Sequence, residues 1–254
     1  MSIPELPVST AAVRVFFGKK LSRLSREDFF SELGTTFMPG TPYMLVPLGL
    51  AAYLAAVFDP PGDAPELPDE AALIVYASKE DYDTARNESL QGRIYLHSHS
   101  GVFDMVESKA QWPGPPAEGA LSADGQRLAW YLFDGDVDWQ RGVSRVLLLK
   151  ASAASPDFPR KVHAAMLQWA LALKDQGIHQ SIGIGTPAFA VVWLHGPNPI
   201  TVDISALSKM LPDTELVRDL VTEPVPMRTM VERVKIDKPA AFTFHFLRDL
   251  RFFL

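Results

Sequence analysis

The sequence has no cysteine among its 254 residues. That absence excludes disulfide bonds, thiolate nucleophiles and cysteine-ligated zinc or iron–sulfur centres. Basic residues are scattered rather than clustered, and the formal net charge is −6. Because phosphate binding needs a basic face, this balance argues against a nucleic-acid partner or an anionic membrane surface.

A secretory signal is also missing from the start of the sequence. Residues 1–12 contain no basic segment followed by an apolar one, and we expect them to form an extended arm. The sequence therefore predicts a soluble cytoplasmic protein. Hydrophobic residues make up 47% of the chain, which is enough for a real core and excludes wholesale disorder.

Residues 34–58 carry no charge, although 21% of the chain is charged. Their length would allow one crossing of a bilayer. Several prolines and glycines interrupt the stretch, however, and there is no second candidate span to satisfy the backbone groups that they free. We therefore interpret the stretch as a Pro/Gly loop at 34–48, followed by a buried strand at 49–58.

Strands and helices alternate along the rest of the sequence. In the first half, two helices begin at the capping-box residues Ser25 and Ser78. The strands predicted around them lie at 13–20, 49–58, 71–77 and 127–135. In the second half, one helix begins at Ser155-Pro156 and a broken helical stretch covers 203–221. The strands predicted there lie at 143–151, 178–184, 189–195 and 228–246.

The predicted elements therefore follow the order βαββαβ in the first half of the chain and again in the second half. The fold class is therefore α+β, with two tandem ferredoxin-like units whose sheets are antiparallel. We expect an arm at 1–12, a first unit at 13–140 and a second unit at 141–254.

The chain resembles the dimeric α/β-barrel superfamily in this element order and in two local cues. The strand AALIVYA runs directly into the capped helix SKEDYDTA, and a matching strand–Ser-Pro–helix lies at 148–158. The resemblance implies that the two sheets face each other and could close into a barrel. It is a likeness of fold, with no diagnostic catalytic motif, so it says little about function.

His97 and His99 form an H-x-H pattern. On a strand the two imidazoles would share a face and could bind one metal ion, whereas on a helix they point about 200° apart. The fold needs a helix here, so we predict no metal site. A single imidazole facing a pocket could act as a hydrogen-bond donor or general base, and the alternative is a surface or packed histidine.

Four aromatic residues could form a pocket wall with polar tips, or could simply fill the core. They are Tyr43, Tyr53, Tyr95 and Trp112. In a catalytic pocket, Tyr43 or Tyr95 would position the substrate.

The loop predicted at 34–48 has no counterpart in the second half. A long uncharged loop on a compact fold is typical of a lid, a binding loop or an interface. Its Phe37, Met38 and Met44 are therefore candidate ligand-binding residues.

His163 suggests a third possibility. The tandem architecture is similar to that of haem enzymes of the chlorite-dismutase kind, in which a histidine on a helix is the axial iron ligand. The resemblance would give that role to His163, but Arg160 and Lys161 beside it are typical of a solvated face. The sequence assigns no cofactor.

The leading hypothesis is a pocket for a small apolar or aromatic metabolite, walled by 34–48 and 88–112. The protein would bind or transform this compound. If it is an enzyme, the resemblance implies oxygenation or isomerisation without a cofactor, with His97 or His99 as the base. We expect a cavity of roughly 300 Å³ or more beside these segments. The alternative is a non-catalytic interaction protein or homo-oligomer, in which the uncharged loop and the C-terminal RFFL form an interface.

Overall fold

Strands and helices alternate along the residues that the computed structural model describes, 6–59 and 64–227. In chain order the strands are β1 (Val8–Ser9), β2 (Val13–Gly18), β3 (Leu50–Val57), β4 (Glu70–Tyr76), β5 (Lys109–Gln111), β6 (Ala120–Leu121), β7 (Leu128–Tyr131), β8 (Asp136–Val137), β9 (Val143–Ala151), β10 (Gln180–Gly185), β11 (Phe189–Gly196) and β12 (Thr214–Thr222). The α-helices are α1 (Arg26–Glu32), α2 (Met38–Leu45), α3 (Lys79–Asn87), α4 (Leu90–Val102), α5 (Phe158–Asp175) and α6 (Ser205–Met210).

Two antiparallel sheets contain most of these strands. Their strand orders are β3-β4-β2-β5 and β12-β9-β11-β10-β7-β6. Strands β2 to β5 can be numbered one to four in the first unit, and strands β9 to β12 one to four in the second. In this numbering both sheets contain the order four-one-three-two. This is the ferredoxin-like order of a βαββαβ chain. The predicted α+β class with antiparallel sheets is confirmed.

The two sheets pack face to face, and helices cover their outer faces. Val15 and Leu73 of the first sheet share one core with Leu148 and Val191 of the second. Helices α1 to α4 pack on the outer face of the first sheet, and α5 and α6 pack on the outer face of the second. Strands covered on both faces are therefore apolar on both sides, as in β3, where every residue from Leu50 to Val57 is buried.

The sheets do not close into a barrel, so that part of the expectation is wrong. Strands β3 and β12 meet at one edge, where the Val225 amide donates to the Tyr53 carbonyl at 2.7 Å and the Thr222 hydroxyl donates to the Ala55 carbonyl at 2.7 Å. Among the described strands, the two hydrogen-bonded ladders nevertheless stay separate. The result is a sandwich rather than a closed barrel.

The loop predicted at 34–48 is helical, and this is the largest correction to the sequence analysis. A π turn (Leu33–Phe37) links α1 to α2, and a 3₁₀ turn (Val46–Leu48) follows. Proline removes a backbone donor from a helix. Here the Thr41 hydroxyl donates to the Phe37 carbonyl at 2.9 Å, which satisfies that carbonyl within the irregular segment. Burial against the first sheet offsets the poor helix propensity.

One predicted strand pairs differently than expected, and part of one predicted helix is a strand. The strand predicted at 127–135 is β7, which pairs with β10 in the second sheet, while the short β5 is the fourth strand of the first. The helix predicted at 203–221 ends at Met210, and β12 follows Pro212 and pairs with β9. Proline cannot continue the helix, so the chain leaves it there. The predicted strand 228–246 and the RFFL segment lie outside the described residues.

The helix starts are mostly as predicted. The hydroxyls of Ser25 and Ser78 each accept a 3.0 Å hydrogen bond from the third amide of their helices, which confirms both capping boxes. The second-half helix α5 instead begins after Asp157, because Ser155 belongs to the preceding turn. In the described part of the chain, no helix is long and apolar enough to cross a membrane.

Candidate functional site

A cavity of about 300 Å³ lies between the outer face of the first sheet and the helix pair α3–α4. Its floor comes from alternate residues of β2, β4 and β5, whose neighbours along each strand point into the space between the sheets. The floor residues are Arg14, Phe16, Ile74, Tyr76 and Ala110, and Lys109, the neighbour of Ala110 in β5, also lines the cavity. The cavity has about the volume that the sequence analysis expected, and it lies beside the predicted segment 88–112.

Helices α3 and α4 form the roof of the cavity. They cross in direct contact at one point. A Cβ added to Gly92 would lie 1.9 Å from the carbonyl oxygen of Ala85, so only glycine fits at this crossing. Beyond it the side chains of Tyr82, Leu96 and His99 extend over the sheet and enclose the cavity. The segment 34–48, expected to be a wall, contributes only Leu45 to the lining.

His99 stands in the roof, half-buried among aromatic rings. Its ring centroid lies 4.7 Å from that of Phe37 and 4.8 Å from that of Tyr95. Nδ1 is 3.1 Å from the Tyr95 carbonyl oxygen, which can only accept a hydrogen bond. Nδ1 therefore carries the proton, and Nε2 is left with a lone pair.

Burial of this imidazole lowers the pKa of His99 to about 4, partly opposed by hydrogen bonds to the backbone of Tyr95 and Leu96. The ring is therefore neutral near pH 7, because its pKa lies well below that pH. It can accept a hydrogen bond from a bound molecule, and it is a weak general base.

Tyr95 lines the cavity with its ring while its hydroxyl is engaged elsewhere. The Thr41 hydroxyl already donates to the Phe37 carbonyl, so the 2.7 Å hydrogen bond between Tyr95 and Thr41 is donated by Tyr95. Burial raises the pKa of Tyr95 well above its ordinary value. The residue is thus a neutral aromatic wall that links α4 to α2.

Arg14 is the site residue that the sequence analysis missed. Its guanidinium carbon lies 4.5 Å from the ring centroid of Tyr82 and 5.9 Å from that of Trp112. Burial and the nearby charge of Arg86 lower the pKa of Arg14 to about 10, so it stays cationic at neutral pH. The signal in the sequence is a lone arginine in the strand VRVFFG, on the same face as Phe16.

The remaining candidates from the sequence lie around the cavity rather than in its lining. His97 is exposed on α4, whereas His99 is half-buried, so the two imidazoles do not face one bound metal ion or molecule. Tyr43 is half-buried. Phe37, Met38 and Met44 are buried in the apolar layer between the helices and the first sheet, as is Tyr53. Trp112 packs edge-on against Tyr82 at 5.2 Å, outside the lining.

His163 lies in α5, on the opposite side of the molecule from this cavity. It is buried beside Trp130, with ring centroids 5.1 Å apart, and its Nε2 is 2.8 Å from the Pro116 carbonyl oxygen. A carbonyl can only accept, so Nε2 carries the proton. Binding iron through Nε2 would require breaking this hydrogen bond. Among the described residues, no group of three or more His, Asp or Glu side chains could hold a metal ion.

Comparisons with known proteins show distant structural likeness only. No family model and no curated protein matches the sequence. A proposed monooxygenase from Lactobacillus acidophilus is 10% identical with a TM-score of 0.41, and the match covers 84% of this chain and 92% of that one. A proposed monooxygenase from Fusobacterium nucleatum subsp. nucleatum is 7% identical with a TM-score of 0.39, covering 92% and 97% of the two chains. An anthrone oxidase-like protein is 10% identical with a TM-score of 0.36, covering 84% and 90%. At these scores the likeness carries no argument about function.

Proposed function

We propose that this protein binds a small aromatic metabolite in the cavity between the first sheet and α3–α4. The observation that carries the proposal is a volume of about 300 Å³ bounded by the rings of Phe16, Tyr76, Tyr82 and Tyr95. Ligand sites are typically about 300–1,000 Å³, mainly apolar, with a few polar groups that fix orientation. The polar group in the roof is the Nε2 atom of His99.

The cavity opens toward solvent between α4 and the turn that precedes β5. Leu96 in α4 and Met105 in that turn both line it, and they are 37% and 44% exposed. Arg86 lines it as well and is exposed on α3. A flat aromatic compound can enter between these side chains without unfolding either helix.

For a catalytic role, we assign to His99 the acceptance of a hydrogen bond or a proton from the bound compound. A pKa of about 4 leaves Nε2 unprotonated at neutral pH but weakly basic. It therefore suits the orientation of a ligand hydroxyl, or removal of a proton that is itself acidic. Isomerisation would need only such a transfer, whereas oxygenation would take dissolved O₂ as the second substrate.

Calorimetric titration with a neutral aromatic probe, 2-naphthol, tests the binding proposal. Ala110 lies in the floor, so Ala110→Phe fills the cavity, while Ala123→Phe adds the same ring at an exposed turn. We expect wild type and Ala123→Phe to bind equally, and Ala110→Phe to bind at least about tenfold more weakly. Equal binding by all three proteins, or none by wild type, would reject the proposal.

An interface on α4 is the second candidate function. Leu90 and Ile94 of α4 and Val106 in the following turn are 67%, 45% and 75% exposed. Exposed apolar side chains that lie together often mark a site of association. Light scattering after size exclusion tests this candidate. A dimer that Ile94→Glu converts to monomer supports it, and a wild-type monomer at all concentrations removes it.

A further inference from the structure

The cavity is lined by a half-buried cation, Arg14, which lies in its floor. Among the described residues, no group accepts a hydrogen bond from its buried Nε atom. Within residues 6–59 and 64–227, no carboxylate lies within ion-pair distance of its guanidinium. The rings of Tyr82 and Trp112 lie against the guanidinium, which contacts their π faces, and the Tyr82 hydroxyl accepts a hydrogen bond from Arg86.

The rest of the lining reinforces this positive charge. Arg86 and Lys109 also border the cavity, and none of its lining residues is an aspartate or glutamate. Asp83 on α3 and Tyr76 raise the pKa of Arg14, and each of these effects is smaller than the lowering by Arg86. A ligand in the cavity therefore meets an excess of positive charge inside an otherwise aromatic wall.

A buried guanidinium is best satisfied by a planar anion. Arginine and a carboxylate can form two parallel charge-assisted hydrogen bonds, which a single hydroxyl or amide oxygen cannot match. The two terminal nitrogens of the Arg14 guanidinium can donate such a pair, whereas its Nε is buried and is not reached from the cavity.

We propose that the cavity selects aromatic carboxylates, with the carboxylate on Arg14 and the ring between Tyr82 and Tyr95. The inference rests on the proposed binding function and adds the chemical class of the ligand. Arg14 is then the residue that determines specificity. The charge of Arg14 also fixes the orientation of the ligand. The acid group lies at the floor of the cavity, and the opposite end of the ring lies toward the roof, near His99.

Two probes of nearly equal shape test the proposal, 2-naphthoate and its neutral amide, 2-naphthamide. We expect wild type to bind the acid at least about tenfold more tightly than the amide, because hydrogen bonds to charged groups are the stronger kind. Arg14→Met should bind both within about threefold of each other, and Arg14→Lys should keep part of the preference. Arg93→Met, which removes an exposed arginine outside the lining, should leave the preference unchanged.

The possible failures are distinguishable. Equal binding of acid and amide by wild type overturns the anion preference and leaves aromatic binding intact. A preference that survives in Arg14→Met, with folding checked by circular dichroism, also overturns it. If neither probe binds, and 2-naphthol does not bind either, the proposed function itself fails. The wild-type comparison of acid and amide decides the question even where an Arg14 variant does not fold.

Discussion

The hydroxyl of Tyr53 donates a 2.9 Å hydrogen bond to Oε1 of Glu70 inside the first sheet. Both side chains are buried, and the other carboxyl oxygen of Glu70 has no hydrogen-bond partner within the described part of the chain. Burial raises the pKa of Glu70 to about 7, partly opposed by the hydrogen bond from Tyr53. This carboxyl group therefore loses its proton near neutral pH rather than in acid.

The contribution of Glu70 to stability should consequently fall between about pH 4.5 and 7, while the low pKa of His99 contributes a rise between about pH 4 and 6.5. The folded state holds the Glu70 proton more tightly than the unfolded chain, so this contribution is lost as pH rises, and it is measured as the difference between wild type and a Glu70 variant. Glu70→Gln should remove this dependence and gain on the order of 3 kcal/mol relative to wild type between pH 4.5 and 8. Urea unfolding at several pH values measures the difference.

Glu66→Gln provides the matched control for this experiment. A hydrogen bond from its own backbone and the ammonium of Lys150 lower the pKa of Glu66, so its contribution is lost only as pH falls below its ordinary value. Its profile between pH 5 and 8 should parallel that of wild type. A Glu70→Gln profile that also parallels wild type contradicts the assigned pKa.

The crossing of α3 and α4 should not tolerate a single methyl group. In Gly92→Ala the added Cβ meets the Ala85 carbonyl, so the helices must separate, at a cost of about 1–3 kcal/mol or more. Gly101→Ala on the same helix meets nothing within 4 Å and should stabilise by up to about 1 kcal/mol. Thermal unfolding compares the two, and equal stabilities would argue against close contact at the crossing.

His99 should stay neutral until the solution is strongly acidic. Its low pKa and its hydrogen bond to the Tyr95 carbonyl predict the Nδ1–H tautomer at pH 7 and a midpoint near pH 4. Imidazole ¹⁵N chemical shifts report tautomer and charge together. A midpoint near 6.5, or an Nε2–H tautomer, would show that the ring is not held as described.

The link between α2 and α4 through Thr41 and Tyr95 should be measurable as stability. Thr41→Val keeps the shape but leaves the buried Tyr95 hydroxyl without its acceptor, which should cost about 1–3 kcal/mol. Tyr95→Phe in the same background removes the stranded hydroxyl and should recover part of that loss. Denaturant unfolding of the single and double variants measures the coupling, and additive effects would contradict it.

Local signals in the sequence predicted much of the fold. Ser25 and Ser78 cap helices as their S-x-x-D spacing indicates, because the capping interaction is contained within four residues. The segment 34–48 was misjudged since its helix depends on burial and on the Thr41 hydroxyl, which no local propensity reveals. Strand β12 was missed for a similar reason, because its pairing with β9 is a long-range contact.

The site was predicted in part. Tyr95 and His99 line the cavity, as their place in the helical segment 88–112 suggested. Arg14 lies far away in sequence and reaches the cavity only because β2 is central in the first sheet. Its significance depends on the lack of a carboxylate partner among the described residues, which is visible only once the packing of the walls around it is known.

The most direct test of aromatic binding in this cavity is an intermolecular NOE experiment on methyl-labelled protein with 2-naphthoate. The account predicts NOEs from the ring protons to the methyl groups of Ile74, Leu96 and Met105, which line the cavity. Ile184, buried between the two sheets, should show none. NOEs absent from the three cavity methyl groups, or confined to residues outside the lining, would contradict it.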